Sequence, residues 1–83
     1  KLFQKASWER AHEGGIVSYR RESGNFVSKG ELLAIISDPF AQKETRMHAS
    51  KDAFILSHNN APLVNVGDGM FHLAYEEEKY AIL

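Results

Sequence analysis

The sequence predicts an all-β fold of seven or eight short strands, arranged as two halves related by a pseudo-twofold axis. Three observations carry this expectation. Val27-Ser28-Lys29-Gly30-Glu31-Leu32-Leu33 and Val64-Asn65-Val66-Gly67-Asp68-Gly69-Met70 share the pattern Val-x-x-Gly-acid-x-(Leu or Met), the second copy starting 37 residues after the first. Apolar segments are short and recur at near-regular spacing between turn residues, as in antiparallel β domains. No stripe at i, i+3, i+4, i+7 is sustained anywhere along the chain.

The elements follow in order. Residues 1–10 mix charges with Leu2, Phe3 and Trp8, and are read as a linker remnant or a first strand over residues 7–11 that lays Trp8 on the core. Gly14-Gly15 marks a turn or a close backbone approach. Ile16-Val17-Ser18-Tyr19 is β-branched and aromatic and reads as a strand. Residues 20–25, charged and holding Ser23-Gly24-Asn25, form a surface loop, and Phe26-Val27 is a short strand. In Ser28-Lys29-Gly30-Glu31 and Asn65-Val66-Gly67-Asp68, glycine stands at the third position, where a type II turn needs positive φ. Residues 32–37 are a nearly continuous apolar core strand.

Asp38-Pro39 then opens a turn over residues 37–43 that is expected to join the two halves, Asp first and Pro second as a type I start requires. Residues 44–49 are a strand by weak alternation, and residues 53–57 repeat the strand at 15–19. Residues 58–62 form the second loop, and Leu63-Val64 with residues 70–74 complete the second copy. Glu76-Glu77-Glu78-Lys79 is read as a solvated loop, and Tyr80-Ala81-Ile82-Leu83 as an edge strand or the start of a further segment. A unit present only twice is too short for a stacked array, so the halves are expected to close on each other. The expected division is thus 1–11, a domain over 12–75, and 76–83.

Composition narrows the function. A chain of 83 residues supports one domain, and 43% apolar with 25% charged residues is ordinary for a globular protein. A net charge of −1 gives no electrostatic footprint for nucleic acid or an anionic membrane. With no cysteine there is neither a disulfide framework nor a thiolate metal site, and a cytoplasmic location is expected. No apolar run approaches the roughly 20 residues of a membrane span, and the first residues lack a signal-peptide core. The chain opens on Lys1 without an initiator methionine and is expected to be part of a longer polypeptide.

The order Gly14-Gly15-Ile16-Val17, Val27-Ser28-Lys29-Gly30-Glu31, Ile36-Ser37-Asp38-Pro39-Phe40, Pro62-Leu63-Val64-Asn65-Val66-Gly67-Asp68 resembles the lipoyl/biotinyl-type barrel-sandwich hybrid. Within that group it resembles the C-terminal domain of the succinylglutamate desuccinylase/aspartoacylase family of zinc-dependent deacylases. The resemblance spans residues 10–74. It departs at Ala49-Ser50-Lys51-Asp52-Ala53, where relatives often have Ala-Pro-x-Asp-Gly, and at Glu13. It implies a non-catalytic accessory domain that packs on the catalytic domain of the same polypeptide and shapes access to its site. Zinc is expected in that domain, where a His-x-x-Glu pair and a later His would hold it.

No catalytic, cofactor-binding or metal-binding residue is assigned within this chain. None of His12, His48, His58 and His72 has Glu three residues on, and none has a ligand-like spacing to another histidine. A carrier module is the alternative, along with a protein-interaction module. It needs an exposed lysine at the tip of the residue 37–43 turn. Lys43 lies near that place, but counting back from Ala49 the modified position is Gln42. A third class, single-strand nucleic-acid binding, would use Tyr19, Phe26 and Phe40 as stacking platforms and Arg20-Arg21 on phosphate. The neutral charge weighs against it.

Overall fold

The computed structural model describes residues 5–76. Eight strands run in order: β1 Lys5–Arg10, β2 Gly15–Tyr19, β3 Phe26–Val27, β4 Leu32–Asp38, β5 Lys43–His48, β6 Ala53–His58, β7 Leu63–Val64 and β8 Gly69–Tyr75. They form two four-stranded sheets with every pairing antiparallel, ordered β1-β8-β6-β3 and β5-β4-β2-β7. Exchanging β1 with β5, β2 with β6, β3 with β7 and β4 with β8 turns one order into the other. The fold is therefore all-β with two topologically equivalent halves, and residues 77–83 of the expected terminal loop and edge strand lie outside the described residues.

The repeat is visible down to single hydrogen bonds. Gly30 and Gly67 both have φ of 92°, as the third position of a type II turn demands. Glu31 N donates to Ser28 O at 2.9 Å and Asp68 N to Asn65 O at 3.1 Å. In each turn the acid reaches back to the first residue, Ser28 N donating to Glu31 Oε1 at 2.6 Å and Asn65 N to Asp68 Oδ2 at 2.9 Å. The glycine N–H groups donate to Ala49 O and Ala11 O, both at 2.8 Å. Even the irregularities match, since the register slips between Leu32 and Ala34 in β4 and opposite Gly69 and Phe71 in β8.

The core lies between the sheets and is itself paired across the repeat: Val27 with Val64, Leu33 with Met70, Ala34 with Phe71, Ile36 with Leu73, Ala49 with Ala11. All are buried. Burying these side chains supplies the main favourable term for so small a domain. Gly15 has no such equivalent, because the matching residue in β6 is Ala53.

One sequence expectation is corrected. Trp8 does not lie on the core: it pairs with His72, and since strand neighbours alternate faces, Phe71 and Leu73 take the inward places and leave position 72 outside. Trp8 stacks on His72 there, ring centroids 4.8 Å apart, and stays 41% exposed. Residues 37–43 lie between the two halves, with β1–β4 before them and β5–β8 after. β5 pairs with β4 from Asp38–Lys43 to Leu32–His48, so this turn closes a hairpin within one sheet. The chain crosses to the other sheet at residues 49–52.

The first Val-x-x-Gly-acid turn makes stability sensitive to acid. The Ser28 N–H, and next the Arg21 guanidinium at 3.0 Å, hold the Glu31 carboxyl below its ordinary pKa. A carboxylate whose folded pKa is depressed contributes stability above its unfolded pKa and loses it as pH falls through the folded value. Thermal melts below the ordinary glutamate range should therefore show a smaller acid loss of Tm for Glu31→Gln than for the parent. Parallel Tm–pH curves would contradict this.

Candidate functional site

Two places gather chemistry-bearing side chains. The first is the β4–β5 hairpin. Pro39 fixes φ at the second turn position, and Asp38 Oδ1 accepts from Phe40 N at 3.0 Å and Ala41 N at 3.2 Å. Gln42 closes the loop with φ of 51°, the one non-glycine residue at positive φ among the described residues. Asp-Pro therefore builds the turn as its sequence suggests, and Phe40 is left 97% exposed. Lys43 is the first residue of β5, paired with Asp38, and its Nζ lies 3.5 Å from Glu13 Oε2. Gln42, not a lysine, occupies the left-handed corner.

The second is a cleft of about 440 Å³ at the other end of the sandwich. Tyr19 pairs with Ala34 and Ile16 with Ser37, so Tyr19 and the loop after it lie at the end of the sheet away from the hairpin. Residues 20–25 carry the chain from one sheet to the other there, and residues 59–62 carry it back. Tyr19 forms the floor; Arg20, Arg21, Glu22 and Asn25 line one side and His58 and Asn60 the other. Arg20 and His58 occupy equivalent places in the two halves, as do Glu22 and Asn60, so the cleft sits where the pseudo-twofold axis leaves the molecule.

Hydrogen bonds fix both walls. Tyr19 Oη donates to Ala61 O at 2.8 Å, and burial pushes its phenol pKa up. Asn59 ties down the second loop, its Oδ1 accepting from Ala61 N at 2.8 Å and its Nδ2 donating to Gly69 O at 3.1 Å. In the first loop Arg21 donates from Nη1 to Arg20 O and from Nη2 to Glu31, while Glu22 N donates to Asn25 Oδ1. The His58 ring sits 5.6 Å from that of Tyr19 and 6.1 Å from that of Phe71.

The four histidines do not converge. His12 follows β1, His48 ends β5, His58 lines the cleft and His72 stacks on Trp8. Among the described residues no group of three or more His, Cys, Asp or Glu side chains is placed to hold a metal ion. The three aromatics considered as a nucleic-acid platform are likewise apart: Tyr19 floors the cleft, Phe26 stands on edge strand β3 against Phe54, and Phe40 caps the hairpin. Among the described residues no helix is long and apolar enough to cross a membrane.

The cleft was not assigned from the sequence, which gave its two walls only as separate surface loops. A signal was present nonetheless. Loops at equivalent places in a two-copy repeat face each other when they lie close to the axis about which the halves close.

The fold defines a class, a two-sheet all-β domain of internally repeated strands. Searches against protein-family models and against curated proteins find no match. Among solved structures the chain is similar to a succinylglutamate desuccinylase/aspartoacylase family protein from Shewanella amazonensis, with 15% identity and a TM-score of 0.77 over 83% of this chain and 20% of that one. It is also similar to the ectoine utilization protein EutE (DoeB) from Ruegeria pomeroyi, with 21% identity and a TM-score of 0.73 over 80% of this chain and 21% of that one. A further likeness, at 16% identity and a TM-score of 0.77, is to a single-chain, multi-domain long-chain acyl-CoA carboxylase, over 94% of this chain and 8% of that one. The chain thus spans about a fifth of the length of the first two proteins and shares their local fold.

Proposed function

We propose that this chain is the non-catalytic C-terminal accessory domain of a cytoplasmic, zinc-dependent N-acyl amino acid deacylase of the succinylglutamate desuccinylase/aspartoacylase type. It packs on the catalytic domain of the same polypeptide and shapes access to its site. The observation that carries this reading is the likeness to family proteins from several organisms, which extends over four-fifths of this chain and only 20–25% of theirs. Zinc supplies a Lewis acid and an activated water in such a hydrolase, and in this reading its ligands lie in the catalytic domain.

A carrier module is the second reading, favoured by the likeness to the acyl-CoA carboxylase. The hairpin weighs against it. A carrier lysine must swing freely, whereas Lys43 begins a strand and pairs with Glu13.

One experiment separates the two. The complete polypeptide encoded by the gene and the 83-residue chain are each assayed for bound zinc and for hydrolysis of N-acyl amino acids, and each is weighed by intact mass spectrometry after co-expression with biotin and lipoate ligases. The expected result is zinc and hydrolysis in the complete polypeptide alone, with no added mass on Lys43. Hydrolysis by the chain by itself, or a complete polypeptide without zinc, would overturn the accessory-domain reading. A cofactor mass on Lys43 would establish the carrier.

A further inference from the structure

We propose that the cleft over Tyr19 is a binding site for a small organic anion in which a planar apolar body carries a carboxylate or phosphate group. This inference does not depend on the accessory-domain reading, because it rests on the geometry of the cleft. The first support is the state of the two arginines. Arg21 is committed to structure, one nitrogen on Glu31 and the other on its neighbour's carbonyl. Arg20, beside it on the cleft wall, has no hydrogen-bond or ion-pair partner for its guanidinium among the described residues, while its backbone N–H is anchored to Leu33 O at 2.8 Å. A planar guanidinium fork that lines a cleft with its donors unused among the described residues matches the two oxygens of a carboxylate or phosphate.

The second support is the floor. The Tyr19 and His58 rings lie tilted at 43° to each other and back onto buried Phe71. The Tyr19 hydroxyl is spent on Ala61 O and the His58 Nδ1 lies 2.9 Å from Asn59 O. What the two rings offer a ligand is therefore chiefly π surface and ring edge, the ordinary partner of a flat apolar group. The amides of Asn25 and Asn60 stand on opposite rims and supply further donors.

The third support is rigidity. The Asn59, Arg21 and Glu22–Asn25 hydrogen bonds already tie the loops that form the walls, so binding has chiefly the Arg20 side chain to order. Charge sets the expected strength. The two arginines are balanced by Glu22 on the wall and by Glu31 behind it, so the site has no large net field and recognition depends on direct contacts. A bare inorganic anion meets only the guanidinium, whereas an anion with a ring also meets the floor. Affinity should therefore be modest and should favour anions that carry a ring.

The test is an amide-resolved NMR titration of the chain with four probes: acetate, benzoate, inorganic phosphate and phenyl phosphate. The expected result is saturable shifts at Arg20, Asn25, His58 and Asn60 with benzoate or phenyl phosphate, the tighter of the two identifying the oxyanion, and much weaker shifts with acetate and inorganic phosphate. Arg20→Gln should weaken the preferred probe by about ten-fold or more, the loss expected for a charge-assisted pair. It should leave Tm unchanged, since its guanidinium supports no other group. His58→Ala should reduce the preference for ring-bearing over bare anions, whatever it does to stability. The proposal is overturned if no probe gives saturable shifts at the cleft, if all four bind alike, or if Arg20→Gln binds as the parent does.

Discussion

Gly15→Ala is expected to cost the fold about 2–3 kcal/mol, the upper part of the range for forcing atoms into a packed interior. β2 begins at Gly15, where the chain passes over β4 with φ of 152°. A methyl group there would collide with the Ser37 carbonyl oxygen, and would sit 3.0 Å from the Ser37 carbonyl carbon and 3.1 Å from Ile36 Cγ2. Two of these three atoms are backbone of Ser37, in the first pair of the β2–β4 ladder, so no side-chain rotation relieves the clash. The equivalent residue in the second half, Ala53, is buried and carries its methyl group without conflict. The reverse exchange, Ala53→Gly, should cost only the roughly 0.5–1 kcal/mol of added backbone freedom, plus a small packing loss. Denaturant melts of the two variants measure the asymmetry. Equal costs would show that the close approach at Gly15 is not what constrains this position.

Gly30→Val and Gly67→Val form the second pair. Each is expected to destabilise by more than about 1 kcal/mol, because a β-branched residue at positive φ meets its own carbonyl. For a domain of this size that lowers Tm by roughly 4–8 °C per kcal/mol. Nothing lies within 4 Å of where either Cβ would stand, so the cost is purely conformational and should be close to equal at the two sites. That equality is the more telling outcome. The two turns share φ, the back-bonding acid and the N–H to alanine-carbonyl bond, and a large difference between them would mean that the halves are not energetically equivalent. Unchanged melting temperatures would refute the paired-turn reading.

The strands and turns were legible because they are local. Short apolar runs between turn residues place β2, β4, β6 and β8, and Gly30 and Gly67 fall at the positions that positive φ requires. Asp38-Pro39 reads directly as the start of a tight turn, and Asp38 Oδ1 is found closing it. The histidines and aromatics were harder, since what a side chain meets depends on partners far along the chain. Trp8 reads as core from its apolarity, yet the alternation of β8 puts Phe71 and Leu73 inside and leaves Trp8 with His72. The same holds for Lys43, whose freedom is decided by Glu13, thirty residues earlier.

By itself the sequence determined that this is an all-β chain built twice from one pattern, because turn chemistry and strand patterning are properties of a few adjacent residues. Tertiary structure decided which sheet each strand joins. The two-residue strands β3 and β7 cross from their own half to pair with β6 and β2 of the other, a choice set by closing both sheet edges around one shared core. That exchange brings the loop at residues 20–25 against the loop at residues 59–62. The cleft lined by Arg20 exists only because the two halves close on each other.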